Sequence, residues 1–584
     1  MHLSLHQLKV WAAFCFVSGI FPGLALAPAA AAPDACKQIH KACLDAGFTQ
    51  GAGKAGKGLK KDCVEPLIAG QKQPGKAALA LPQIAADVLA ACQAVQGATN
   101  APSSSDAGTV PVQPAPLPAG AHPGPNIVFI LADDFSMNLL SSHDDVLTRS
   151  MPNLQRMMSE GATFTNYFVT DSLCCPSRTS IFTGKLPHNS GVYTNSLPFG
   201  GFGGFMEHGN APVTFAVALH QAGYRTAMLG KYLNGYEPAA NGVPPGWSEW
   251  DVDGSQGYRE FNYPLNENGK VVQHREYLTD EISKLGQSFI EASGKTPFFI
   301  ELASFAPHAP YIPPDRYKAD LPDLTYEHLA SFGAKPDASA PEWLKQIPPL
   351  TPPEITTMEE AFRNRVRSDK AIDDMIGAVR AQLKRLGLEQ NTYIVFSSDN
   401  GYHMGEYSLR PGKMTPLDTD INVPLVVVGP GVTPDRKITE IAENIDLCPT
   451  FTEIGGTSGP TQPDGYSLLA LLKGGAGAAG WRKLALIEHH HPGPDKSDPD
   501  LPEPSSGNPP SYEAVRSAEA LYVEYSDTKN EIGYYDLKQD PLELHNQAAL
   551  LSPETLRKFH EALAANATCK GSIACWNAQG LQVP

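Results

Sequence analysis

Two groups of residues in this chain have types and spacing suited to chemistry. Asp133, Asp134, Asp399 and Asn400 offer only oxygen donors, in two adjacent pairs that close the apolar runs "NIVFILADD" and "NTYIVFSSDNG". An all-oxygen set suits a hard cation, Ca²⁺ with several oxygens in flexible geometry or Mg²⁺ in a stricter octahedron with retained waters. One aspartate after a strand is ordinarily a turn or cap residue; two such pairs point to a metal. The second group is "SLCCPSRTSIFTGK", Ser172 to Lys185. Its adjacent cysteines leave three readings open: inert small hydrophobes, a vicinal disulfide in a strained ring, or a catalytic precursor. Pro176 suits the first position of a helix, which sets Cys174 just before a helix N-terminus, where anions are favoured and Arg178 adds positive charge. A thiol placed there is partly ionised and reactive.

These residues need elements to bring them together. "NIVFILADD" is a continuous apolar run, as expected of a buried parallel strand. "VTFAVALHQAG" reads as a helix stopped at Gly223, followed by the strand "YRTAML" ending at Gly230-Lys231. "PFFIELASFAPHAP" is a further strand that ends in a polar loop at His308, and "NTYIVFSSDNG" ends at Asp399-Asn400. Phe362, Val366, Ile372, Met375, Ile376, Val379 and Leu383 recur at helical spacing. Strands alternating with helices predict an α/β fold with a mostly parallel central sheet flanked by helices. Sites in such folds form at the carboxyl ends of the strands. Asp133-Asp134, Lys231, His308 and Asp399-Asn400 all fall at such ends.

The 584 residues are enough for a large core and more than one domain. A formal net charge of −17 argues against a nucleic-acid partner. Residues 1–31, with Lys9 before "VWAAFCFVSGIFPGLALA", read as a cleaved export signal. No later run is long and apolar enough to span a bilayer, and export permits disulfides. Residues 32–97 form a small helical unit with Cys36, Cys43, Cys63 and Cys92, whose pairing stays open. Residues 98–125 are a Pro/Ala/Gly/Ser-rich linker. An α/β domain over 126–460 and a smaller β-containing subdomain over 461–584 follow. Cys569 and Cys575 suit a short-loop disulfide, and Cys448 reads as a buried helix residue.

The motif "CCPSR" with "SIFTGK" matches the Cys-x-Pro-Ser-Arg signature of type I sulfatases, and the likeness runs from about Asn126 to Asn546. "TDSLCCPSRTSIFTGKLPHNSGVYTN", "GKYLNGY", "PPGWSEW" and "SDNGYHMGEYSL" resemble the N-acetylglucosamine-6-sulfatases and related glycosaminoglycan sulfatases, as do "YEAVRSAEALYVEY" and "YYDLKQDPLELHN". The resemblance implies an alkaline-phosphatase-like fold and oxidation of Cys174 to formylglycine by a maturation enzyme, with Cys175 at the variable position. One hydroxyl of the hydrated aldehyde would attack sulfur, and the other would expel sulfate. It further implies Ca²⁺ held by Asp133, Asp134, Asp399, Asn400 and the modified Cys174, with Arg178 stabilising the diol. Lys231, His308 and Lys413 would hold sulfate oxygens, and one of the last two would protonate the leaving alcohol. A sulfated saccharide is the implied substrate. Leu233 departs from the histidine that many arylsulfatases carry there.

Other residues admit two readings. His403, in "NGYHMGE", suits either a substrate contact or a turn. His489, His490 and His491 could hold a metal, although a solvated run is the plainer account. Tyr232 and Trp247 suit a sugar pocket or ordinary core packing. The alternatives to a saccharide sulfatase are an arylsulfatase or phosphonate monoester hydrolase on the same scaffold, and a non-catalytic binder of sulfated polysaccharide.

Overall fold

In the computed structural model the run Asn126–Ala132 is strand β1, buried along its whole length. The described residues are 124–141, 144–459, 463–475, 481–491, 498, 504–526 and 529–584, with short stretches between 39 and 84. The chain divides into two compact units, Met1–Val110 and Pro111–Pro584. In the second unit β1 is followed by β2 (Ala162–Phe164), β3 (Tyr167–Phe168), β4 (Arg225–Lys231), β5 (Glu249–Asp253), β6 (Tyr263–Glu267) and β7 (Lys270–His274). Then come β8 (Phe298–Ala303), β9 (Thr392–Ser398), β10 (Leu425–Val428), β11 (Arg436–Ile438) and β12 (Ala442–Glu443).

The large sheet has ten strands in the order β11-β2-β10-β9-β1-β8-β4-β5-β6-β7. Its centre, β9-β1-β8-β4-β5, is parallel throughout. Antiparallel β10 and the β6–β7 hairpin extend it on either side. Successive side chains of a strand point to opposite faces, and β1 supplies both cores in that way. Ile127, Phe129 and Leu131 pack with Phe182, Phe215, Leu219 and Phe451. Val128, Ile130 and Ala132 pack with Ile282, Ile290, Ile372, Met375 and Val379. Helices Cys174–Thr183, Phe215–Gln221 and Leu447–Ile454 therefore cover one face, and Leu278–Ser293 and Pro352–Arg385 the other.

The helix expected from Phe362 to Leu383 is longer, because Thr351 and Glu354 close a capping box at its start and Pro352 occupies its first position. Its front half leaves the sheet: Phe362 and Val366 pack on Tyr402 and Met404, in the loop after β9. A second, antiparallel sheet of β13 (Ala485–His489), β14 (Tyr512–Arg516), β15 (Ala520–Tyr525) and β16 (Ile532–Asp536) follows. One of its faces joins the large core through Ile487, Ala514, Leu521 and Val523. The other packs Leu486, Val515 and Tyr522 on Phe559 and Leu563 of helix Pro553–Asn566.

Cys569 and Cys575 form a disulfide, as does the pair Cys43 and Cys63 in the first unit, where Ile39 and Phe48 are buried beside it. The export signal at 1–31, Cys36, Cys92 and the linker before residue 124 lie outside the described residues. Among the described residues no helix is long and apolar enough to cross a membrane.

Candidate active site

Helix Cys174–Thr183 begins at Cys174 itself, with extended Leu173 as its N-cap. It starts two residues before Pro176, so the proline falls in the first turn, where its missing N–H has no intrahelical partner to lose. The helix ends at Gly184, whose φ of 68° is left-handed and whose N–H donates to the Ser180 carbonyl. A side chain there would press within 2.9 Å of Pro463, so glycine is required for space as well. Cys174, Cys175 and Cys448 are free thiols, which removes the vicinal-disulfide reading. Cys175 turns into the core, and burial pushes its thiol up to about 12. Cys448 is buried in helix Leu447–Ile454, as its sequence context implied.

The Cys174 sulfur lies between two ammonium groups, 3.2 Å from Lys231 Nζ and 2.9 Å from Lys413 Nζ. Lys231 also donates to Asp133 Oδ2 at 2.5 Å, and Lys413 to Asp134 Oδ1 at 2.7 Å. The Arg178 Nε donates to Asp399 Oδ2 at 2.7 Å, with both side chains wholly buried. The Asn400 amide donates to Asp134 Oδ1 at 2.7 Å, and His308 Nε2 lies 3.6 Å from Asp134 Oδ2. The Ala309 carbonyl is 2.7 Å from His308 Nδ1, which favours the tautomer protonated at that nitrogen. The strand ends that the sequence singled out thus converge on one point, and Lys413 joins them from a loop.

Asp134 adopts a left-handed φ of 67°, an uncommon conformation for a residue with a side chain. Its N–H donates to Asp399 Oδ1 at 3.2 Å, and the Arg365 guanidinium donates to its carbonyl and, at 3.3 Å, to that of Pro307. Arg365 had no place in the sequence-based site. The only signal was a charge beside Val366 on the packed side of a long amphipathic helix.

Burial, followed by the neighbouring charge of Asp399, pushes Asp133 up to about 6. Burial acts in the same direction on Asp399, but Arg178, Lys231 and Lys413 outweigh it and hold that carboxyl well below the usual range. Burial disfavours the charge of Lys231, yet Asp133 and Cys174 raise it well above an ordinary lysine. Three carboxylates are balanced by three cations, Arg178, Lys231 and Lys413. A divalent cation added to that set leaves a net positive centre, which an acidic protein needs to attract an anion.

The donors fit such a cation. Asp134 Oδ2 and Asn400 Oδ1 are buried without a hydrogen-bond partner. One ligand atom each of Asp133, Asp134, Cys174 and His308 also lies within 4.8 Å of the others. Oxygen donors dominate, as Ca²⁺ or Mg²⁺ requires. Arg178 Nη2, likewise buried and unpartnered, is a donor suited to an anionic oxygen.

His403 is not aimed into this centre, contrary to the substrate contact considered for it. Its ring is wholly buried, with Nδ1 3.0 Å from Asp420 and Nε2 2.8 Å from the Ser506 carbonyl. Its backbone pairs in both directions with Gly412, so it fixes the loop that carries Lys413. His489 is buried against Asp171 at 3.2 Å, and burial lowers it to about 3; His490 stacks on Tyr193. Those three histidines form no metal cluster among the described residues. Tyr232 packs among Phe182, Phe202 and Trp250 and also lines a cleft beside Lys231. Trp247 packs on the core.

A cationic centre at a helix N-terminus and at the carboxyl ends of the strands, with the Cys174 sulfur between two lysines, suits the hydrolysis of oxyacid esters. The chain belongs to the sulfatase family: residues 125–457 match the family described as Sulfatase, and residues 405–566 match N-sulphoglucosamine sulphohydrolase, C-terminal. It is similar to the N-acetylglucosamine-6-sulfatase of Homo sapiens, 34% identical over 481 residues, 76% of this chain and 85% of the relative. It also resembles the extracellular sulfatase SULF-1 homolog of Drosophila melanogaster, 33% identical over 62% of this chain and 33% of the relative. A solved structure of a protein in complex with its substrate D-glucosamine-2-N,6-O-disulfate superposes with a TM-score of 0.65 at 23% identity, covering 76% of this chain and 97% of that one. The protein is therefore a sulfatase, on the alkaline-phosphatase-like fold expected from its sequence.

Proposed function

We propose that this sulfatase is exported and removes the 6-O-sulfate from N-acetylglucosamine in glycosaminoglycan-like saccharides, after a maturation enzyme converts Cys174 to formylglycine. The observation that carries the proposal is the position of Cys174, between Lys231 and Lys413 and beside Asp133. The likeness to the human N-acetylglucosamine-6-sulfatase supports the sugar, and the likeness to the Drosophila extracellular sulfatase supports export.

Formylglycine at position 174 would supply, once hydrated, one hydroxyl as nucleophile toward sulfur and a second whose deprotonation would regenerate the aldehyde as the C–O bond to sulfate breaks. Asp133, Asp134, Asp399 and Asn400 would hold a calcium ion, which supplies electrophilic polarisation of a sulfate oxygen. Lys231 and Lys413 hold the remaining sulfate oxygens and stabilise the charge that builds on them as the bond to the sugar oxygen breaks. Arg178, fixed by Asp399, keeps its unpartnered Nη2 as a donor for an anionic oxygen at this centre. The sugar alkoxide is a poor leaving group and takes a proton from Lys413 or from protonated His308.

The test combines peptide mass spectrometry of residue 174 with sulfate release from N-acetylglucosamine 6-sulfate and from p-nitrophenyl sulfate, before and after chelation. Aldehyde at position 174, cleavage of the sugar ester, and activity lost on chelation and restored by calcium are expected. Turnover by protein whose Cys174 is unmodified would overturn the mechanism. Efficient cleavage of the aryl ester alone would replace the saccharide reading with an arylsulfatase.

A further inference from the structure

One carboxyl-edge residue takes no part in the centre described above. Asp253 is the last residue of β5 and the register partner of Lys231, the last residue of parallel β4. Partners in register on adjacent strands project to the same face, and both residues line one cleft of about 580 Å³ together with Tyr236, Asn241 and Tyr258. Asp253 is 2% exposed. Its Oδ1 accepts from the Gly254 N–H at 2.6 Å, while Oδ2 is buried with no hydrogen-bond partner. Glu237, half-buried on the same cleft, brings a second carboxyl to this point: a Cβ at Gly254 would lie 3.1 Å from Glu237 Oε2. Among the described residues lining the cleft, Lys231 is the one lysine or arginine.

We infer that Asp253 and Glu237 read the sugar ring of the substrate, accepting its neutral hydroxyl and amide groups and disfavouring a ring that carries a second anionic group. The inference rests on the saccharide reading above and narrows it. An unpaired buried carboxyl oxygen is unfavourable unless a ligand completes it, and the sulfate held at Lys231 places a sugar ring beside it. Burial first, and Glu237 after it, push Asp253 up to about 8, so its carboxyl can donate as well as accept. A second sulfate would enter a low-dielectric cleft that offers it carboxyl groups and, among the described residues lining it, no lysine or arginine beyond Lys231, so the loss of its hydration goes uncompensated.

The experiment compares kcat/KM of the matured, metal-loaded protein on N-acetylglucosamine 6-sulfate and on glucosamine 2-N,6-O-disulfate. Each value is normalised to p-nitrophenyl sulfate hydrolysis by the same preparation, which reports the matured centre without a sugar. The parent should prefer the N-acetyl ester by at least about tenfold. Asp253→Asn and Glu237→Gln should each narrow that preference severalfold; Glu237→Gln, at a half-exposed site, keeps the test open if Asp253→Asn folds poorly. Equal cleavage of the two sugar esters by the parent, or a preference unchanged in the variants, overturns the inference. If neither sugar ester is cleaved while the aryl ester is, the saccharide reading falls with it.

Discussion

Replacing Lys413 by methionine removes one charge and little volume. The side chain is 4% exposed, with Nζ 2.7 Å from Asp134 Oδ1 and 2.9 Å from Cys174 Sγ. At that separation and an effective dielectric of about 20, the attraction to Asp134 is on the order of 6 kcal/mol gross, and desolvation of the buried ammonium offsets much of it. The net effect on folding is therefore small beside the effect on turnover. One charge-assisted donor aimed at the transferring group is lost, which lowers kcat by roughly 10²–10³-fold, about 2.7–4 kcal/mol. The Asp134 carboxylate, relieved of its ammonium, should hold calcium at least as tightly as before. Steady-state kinetics on N-acetylglucosamine 6-sulfate and p-nitrophenyl sulfate, with a calcium titration, measure each part. Both esters should lose kcat together, because Lys413 meets the sulfate common to them. A kcat within about threefold of the parent on both esters would refute the assignment; a loss confined to the sugar ester would instead mark Lys413 as the proton donor to the leaving alcohol.

Three further outcomes are expected. Cys174→Ala should abolish turnover, whereas Cys175→Ala should keep it and lose only about 1–2 kcal/mol of stability; aldehyde found at Cys175 by peptide mass spectrometry would reverse the register. Arg482, wholly buried between Glu443 and Asp446 at 2.6 Å each, is the sole cation bonded to that acidic pair among the described residues. Arg482→Met should lower stability by roughly 3–5 kcal/mol, and an unchanged denaturant midpoint would disprove the pairing. Burial disfavours protonated His188, but hydrogen bonds to Glu488 at 2.9 Å outweigh it and raise the ring from 6.5 to about 9. The folded state then holds that proton more tightly, so its contribution is full below pH 6.5 and lost as pH rises through about 9. Denaturation midpoints at about pH 6 and about pH 9.5 should differ less in His188→Gln than in the parent; an equal fall in both would exclude the pair.

The central sheet was legible because strands buried on both faces must be apolar throughout, and "NIVFILA", "PFFIELA" and "TYIVFSS" are. Their ends gave Asp133-Asp134, His308 and Asp399-Asn400 by topology alone. Lys413 came only through family resemblance: it lies in a loop without periodicity, and its approach to Asp134 spans 279 residues of chain. His403 misled because its motif is polar and looks exposed, while the carboxylate that pairs with it, Asp420, belongs to a later short helix, Asp418–Ile421. Asp253 escaped notice because "EWDVD" mixes charged and apolar residues and joins antiparallel β6, so it lacks the signature of a central strand. The helix start at Cys174 was missed by two residues because proline is tolerated anywhere in a first turn.

The adjacency of β4 and β5 bears on how specificity can change. Neighbouring strands lie about 4.8 Å apart, so the row β9-β1-β8-β4-β5 spreads its end residues over about 19 Å. Asp399 and Asp133 stand near one end of that row, and Asp253 at the other. On the proposed reading, bond breaking and sugar selection fall to different strands, joined by Lys231 at the end of β4. On that reading, substitutions after β5 leave the proposed metal ligands and Cys174 in place. A lineage built on this sheet can exchange one sulfated sugar for another by drift at its margin while its reaction stays fixed.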